Sequence, residues 1–198
     1  MLEGNLRRAL IGASLFAGAG LVSAIATPAR AEDPRERLRR KRLHNLPLLT
    51  QDGRTVRFYD DVVKDRKVVI SVMYTGCSNI CTPATRNLME ARERLGDFGR
   101  DIHFVSISLT PLTDTPAELR AYKKAHGIGA DWTFLTGKPA HVEQVTRGLG
   151  LLSEDPADDL LSHSGSAVIA DEKLLKWGHG STLTGGRALA RMIRFELV

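Results

Sequence analysis

Several features common in larger or more specialised chains are missing from this one. No internal repeat and no long low-complexity tract interrupts it, so the expectation is one globular domain rather than an array. Only two cysteines are present, Cys77 and Cys81, with three residues between them. A loop that short restricts the unfolded chain little, so stabilisation by a disulfide is a poor reason for having them. Nowhere do basic and aromatic residues interleave, and nucleic acid is not expected as a partner. What is present, 198 residues of which 42% are hydrophobic and 26% charged, fits one domain with a sizeable core plus a short extra segment.

The extra segment is N-terminal. Arg7-Arg8 precede an apolar stretch over residues 9–26, followed by Thr27-Pro28-Ala29-Arg30-Ala31. This is the layout of a signal peptide over residues 1–31, with cleavage expected after Ala31. The paired arginines also fit a twin-arginine export address. Many residues of the stretch are Ala and Gly, which weakens it as a permanent span, although its length reaches the lower limit for crossing a bilayer. A periplasmic or otherwise exported protein is therefore expected, membrane-anchored if the segment is retained. Residues 32–45 read as a basic tail or linker. Most of the basic excess lies there in RERLRRKR, opened by Arg35 and closed by Arg42, which reads as a solvated tail or as a contact for an anionic membrane surface.

The chain is organised around residues 67–83, KVVISVMYTGCSNICTP. The apolar, β-branched first half has the character of a strand buried on both faces of a mostly parallel sheet. Thr75-Gly76 stops it, the two cysteines follow, and Pro83 suits the first turn of a helix. A strand thus delivers two thiols to a helix N-terminus, where thiolates are favoured, and thiolates attack disulfides and bind soft metals. An early helix start puts Cys77 and Cys81 at i and i+4 on one face, able to share a metal ion. A late start leaves a loop that can close a disulfide. In an exported protein such a disulfide persists, so both uses stay open.

Around this stretch the pattern predicts a β-hairpin over residues 46–59 about Asp52-Gly53 and a helix over 84–98. It then predicts a strand over 102–109, a helix over 116–126 capped by Thr115, a strand over 132–135 and a helix over 139–149. An acidic, turn-rich insertion at 150–162, a strand pair at 166–170 and 174–177, and a closing helix at 187–197 complete it. The expected fold is α/β: a thioredoxin-like central sheet flanked by helices, with an N-terminal β-hairpin, over residues 46–198.

Four pieces of sequence resemble the Sco/SenC family of copper-handling, thioredoxin-like proteins. They are Tyr74-Thr75-Gly76-Cys77-Ser78-Asn79-Ile80-Cys81; Ser106-Ile107-Ser108-Leu109 leading to Asp114-Thr115-Pro116; the stretches 119–122 and 132–137; and His163-Ser164-Gly165. The resemblance implies copper as the metal and Cys77, Cys81 and His163 as its ligands. Independently, thiolates are soft donors for Cu(I) and imidazole suits either oxidation state. Ser78 and Thr82 stand where the family often has proline, implying a less rigid loop, and Thr110 precedes Pro111 where it favours Asp. Asp114 is kept, either as a group that orients a ligand or as a turn residue. Of the other histidines, His44, His103, His126 and His141 read as core or surface residues, and His179 is the alternative ligand.

The resemblance implies a metallochaperone that delivers copper to a respiratory copper enzyme such as cytochrome c oxidase. The alternative on the same two thiols is a thiol–disulfide oxidoreductase that reduces the recipient's copper-site cysteines, with a thiol reductase as its own partner. A third class, thiol peroxidase, needs a cation beside a cysteine, and Arg86 is the one candidate.

Overall fold

The computed structural model describes residues 32–77, 79–152 and 165–198. Its central element is β3 (Lys67–Met73), the apolar run anticipated above. Successive side chains of a strand point to opposite faces, and here both faces are covered. Val68, Ile70 and Val72 enter one apolar cluster, whereas Val69 and Met73 enter the other.

On one side β3 pairs in parallel with β4 (Ile102–Ser108), and on the other antiparallel with β6 (Ser166–Asp171). With β1 (Pro47–Thr50), β2 (Thr55–Arg57), β5 (Trp132–Thr136) and β7 (Lys176–Ser181) the sheet has seven strands in the order β2-β1-β5-β4-β3-β6-β7. The β1–β2 hairpin turns about Asp52-Gly53, and Gly53 adopts φ +79°, a left-handed conformation that glycine takes without steric cost. Helices α2 (Cys81–Leu95), α3 (Pro116–Ala125) and α5 (Gly186–Leu197) supply Leu88, Leu119, Tyr122, Leu189 and Ile193 to the cluster holding Val69. On the opposite face α4 (Pro139–Gly148) supplies Val142 and Val145. Within the first layer, Trp132 Nε1 donates to Ser106 Oγ at 3.0 Å, and that oxygen lies 3.0 Å from Ser71 Oγ. The buried polar atoms of Ser71, Ser106 and Trp132 are thereby satisfied.

Three local expectations are corrected. The basic run 35–42 is an ordered, solvated helix rather than an irregular tail or linker: it forms α1 (Pro34–Arg42). The Asp33 side chain accepts the Arg35 N–H at 2.9 Å, Pro34 occupies the first turn, and the cations of the last turn face the negative end of the helix dipole. Residues 58 and 59 leave the hairpin and enter a π-helical turn, Phe58–Val63, which buries Phe58, Tyr59, Val62 and Val63. The last strand begins at Lys176 rather than Leu174, because Asp171 Oδ1 accepts the Leu174 N–H and Leu175 takes φ 56° in the turn between β6 and β7.

That turn also holds α1. Glu172 is 0% exposed and accepts hydrogen bonds from Tyr59 Oη at 2.8 Å, the Asp65 N–H at 2.7 Å and Arg35 Nη2 at 2.8 Å. Burial first, then the bond to Glu172, pushes the Tyr59 hydroxyl far above the usual phenol range. Arg35 bridges onward to Asp65 at 2.7 Å and so is withdrawn from the basic face of the run, leaving Arg37, Lys41 and Arg42 without ion pairs among the described residues. Removing the carboxylate strands the Tyr59 hydroxyl and the Asp65 N–H and leaves Arg35 with Asp65 alone. Glu172→Ala is expected to cost about 3 kcal/mol in urea unfolding, with faster amide exchange across α1. A loss below about 0.5 kcal/mol would show that the cluster contributes little.

Candidate functional site

At the C-terminal end of β3 the chain makes a tight turn in which the Cys77 N–H donates to the Tyr74 carbonyl at 3.2 Å. Helix α2 starts at the second cysteine, so Cys77 lies in the preceding loop rather than on the helix face. The two sulfurs are nonetheless brought into one site. Ile80, at the N-cap position, makes no side-chain cap, and the Cys81 N–H instead donates to Cys77 Sγ at 3.2 Å. A sulfur thus takes the capping role, satisfying one of the N–H groups that a helix start leaves without an intrahelical partner. Cys77 is 8% and Cys81 3% exposed, and no disulfide joins them.

Their surroundings make the pair unequal. Burial pushes the Cys77 thiol up, but hydrogen bonding from the Cys81 side chain and backbone, the Ile80 backbone and the Tyr74 side chain outweighs it, and Cys77 falls below the ordinary thiol value. Cys81 is pushed up to about 12, mainly by burial and then by its bond to Cys77. Of the two, Cys77 is therefore the one favoured as thiolate and Cys81 the one favoured as thiol. Beside it Tyr122 Oη lies 3.0 Å from Thr85 Oγ1, and burial raises that hydroxyl too.

A second polar cluster supports the loop. Asp114, 1% exposed, accepts the Thr75 N–H at 3.2 Å, the Thr75 hydroxyl, Ser108 Oγ at 2.6 Å and Thr110 Oγ1 at 3.0 Å. It thereby ties the end of β4 to the turn that precedes Cys77.

This arrangement, two thiols between a buried parallel strand and a helix start, has known counterparts. Residues 39–194 match the family described as SCO1/SenC. The chain belongs to that family. A SCO1 protein homolog of Bacillus subtilis is 25% identical over 132 residues, 64% of this chain and 67% of the relative. Among solved structures, Bradyrhizobium japonicum ScoI with copper bound superposes with a TM-score of 0.59 at 20% identity, covering 76% of this chain and 96% of that one. BsSco, a member of the Sco family of cytochrome c oxidase assembly proteins in which a disulfide switch has been identified, gives 0.62 at 18% identity, covering 76% and 90%. At these identities the superpositions establish the fold, the thioredoxin-like architecture of Sco proteins.

In this SCO1/SenC chain His163 lies outside the described residues, as do residues 153–162 of the anticipated insertion. Among the described residues no three metal-ligating side chains come together. His179 is not drawn to the thiols: its Nε2 lies 3.0 Å from the Leu149 carbonyl, and Leu149 belongs to the cluster on the other face of the sheet. His103 is kept neutral, burial holding it below the usual imidazole value, with Nε2 2.8 Å from Thr133 Oγ1. His126 packs on the Tyr122 ring and His141 Nδ1 lies 3.0 Å from the Pro47 carbonyl. Arg86 is exposed and lines a cleft with Glu90, Glu93 and Asp131, so nothing here supports the peroxidase alternative.

Sequence patterns did not anticipate Thr85 or Tyr122 beside the thiols, or the joint role of Ser108, Thr110 and Asp114. Thr85 stands one turn beyond Cys81 on α2, whereas the others reach the thiols or their loop from other elements, and no local periodicity encodes that. The thiol inequality has a direct consequence in solution. Because the thiolate is the nucleophile, iodoacetamide at neutral pH should label Cys77 at least about tenfold faster than Cys81. The Cys77 rate should inflect below the pH of a free thiol. Equal labelling in peptide mass spectra would contradict the asymmetry.

Proposed function

We propose that this protein is an exported copper metallochaperone, which holds one copper ion through Cys77, Cys81 and His163 and passes it to a respiratory copper enzyme such as cytochrome c oxidase. The observation that carries the reading is the joining of the two cysteines by the Cys81 backbone N–H to Cys77 Sγ bond, with both side chains as thiols at the end of a buried strand. The donor set fits the metal. Two sulfurs match soft Cu(I), and an imidazole from His163 adds a donor that serves Cu(I) and Cu(II) alike. Ligands held near the surface end of β3 can be exchanged one at a time by a recipient's own donors, as a carrier requires. Support from relatives is consistent: Sco proteins of Bradyrhizobium japonicum and Arabidopsis thaliana superpose on this fold with copper bound, and BsSco belongs to a family of cytochrome c oxidase assembly proteins. Export rests on the signal layout of residues 1–31 and agrees with a SCO1/SenC family lipoprotein of Bacillus anthracis among the structural neighbours. No described helix is long and apolar enough to cross a membrane.

A second reading, reduction of the recipient's copper-site cysteines, is favoured by one specific observation. A lowered thiol beside a raised one is the arrangement of an attacking and a resolving cysteine. The histidine separates the readings, because disulfide exchange needs two sulfurs and no imidazole. The reduced protein is expected to bind one equivalent of copper, and Cys77→Ser with Cys81→Ser to abolish binding. His163→Ala should weaken Cu(II) by at least about tenfold, alter its visible and EPR spectra, and leave exchange with glutathione intact. Wild-type copper affinity in the double cysteine variant would exclude this site. Unchanged spectra and full maturation of the recipient enzyme with His163→Ala, while either cysteine variant fails, would make reduction the function.

A further inference from the structure

Asp171, Glu172 and Asp114 are the acidic side chains buried among the described residues. Asp171 and Glu172 serve the turn between β6 and β7, at the far end of β3 from the cysteines. Asp114 is at the thiol end, and its bonding exceeds what a turn residue needs. The turn itself is closed by backbone: the Asp114 N–H donates to the Thr110 carbonyl at 2.8 Å, and Thr115 then caps α3 by accepting the Glu118 N–H at 3.3 Å. With the backbone already satisfied, the carboxylate takes donors from two separate segments. Ser108 and Thr110 belong to its own side, whereas the Thr75 N–H and hydroxyl come from the end of β3, 39 residues away in the chain.

We infer that Asp114 is a positioning residue for Cys77: anchored at the end of β4 and the start of α3, it grips Thr75 and so fixes where the chain leaves β3 for the first thiol. Thr75 and Gly76 are the two central residues of the turn that the Cys77 N–H closes on the Tyr74 carbonyl. Holding Thr75 by two bonds therefore sets the direction of the next two residues, and Cys77 Sγ arrives where the Cys81 N–H can reach it. Two sulfurs kept at one separation have a high effective concentration toward each other, and that concentration falls when one is on a loosened loop.

The inference rests on reading Cys77 and Cys81 as the working pair, so it is tested by a property of the pair that involves no copper. The full chain is equilibrated with glutathione, where one protein disulfide and two glutathione thiols give two protein thiols and one oxidised glutathione. Asp114→Asn should make the disulfide easier to reduce by about tenfold in the equilibrium constant, equal to about 30 mV. Thr75→Val keeps the carboxylate and removes one donor, and should move the constant several-fold in the same direction. The double variant should move it no further than Asp114→Asn alone, because both substitutions break one link. Ser71→Ala, which loses a buried hydroxyl of the same strand in the Trp132 layer, is the control for general destabilisation and should leave the constant unchanged. Should Asp114→Asn fail to fold, Thr75→Val against Ser71→Ala still decides the matter.

Three results would overturn the inference: no shift in either variant at the loop, an equal shift with Ser71→Ala, or a shift with Asp114→Asn but none with Thr75→Val. The last would mean that the carboxylate acts on the sulfurs through its charge and not by holding the turn. A wild-type protein that bound no copper would remove the chaperone reading and leave this measurement standing.

Discussion

Everything in this fold follows from the burial of β3 on both faces. A strand whose Val68, Ile70 and Val72 fill one apolar cluster and whose Val69 and Met73 fill another leaves no place along its length for an uncompensated polar group. Even Ser71, midway along it, is bonded to Ser106 and through it to Trp132. Polar chemistry is thereby confined to the two ends, about 20 Å apart for a seven-residue strand.

The two ends solve the same problem with different groups. At the start of the strand Glu172 gathers Tyr59, the Asp65 N–H and Arg35, which fastens α1 to the body. At the finish Asp114 gathers Thr75, Ser108 and Thr110, which fastens the turn before the cysteines. Each is a buried acid that ties together segments far apart in sequence. One holds a helix whose remaining surface is basic. The other supports the two thiols at that end, so stability and chemistry share a construction without sharing residues.

This construction explains what could and could not be seen in the sequence. The β-branched run, the cysteines behind Thr75-Gly76 and the alternation of strands with helices are local signals, and strand, helix and sheet follow from them. The Asp33-Pro34 start of α1 is equally local, but the run of cations behind it signals a solvated tail, because the groups that neutralise Arg35, Asp65 and Glu172, lie 30 and 137 residues along the chain. Asp114 was visible as a turn residue or a group orienting a ligand but not as the holder of Thr75, which lies 39 residues away at the end of the neighbouring strand. Whether the helix began before or after the cysteines was likewise undecidable from spacing. It begins at Cys81 because the Cys77 sulfur, not a Ser or Asp side chain, caps it.

That sulfur cap also orders the chemistry. Cys77 is the more exposed residue and the one held toward thiolate, whereas Cys81 sits deeper and is pushed up to about 12, first by burial. An incoming group, whether a recipient's metal ligand or the sulfur of a disulfide, meets Cys77 first on grounds of both access and charge. As Cys77 is drawn into a new bond, it gives up the Cys81 N–H and the shared proton arrangement, and the restraint that kept Cys81 protonated weakens with it. On either proposed function, metal transfer or disulfide exchange, the steps run in the same sequence over these two residues, the first sulfur opening the site and the second completing the step.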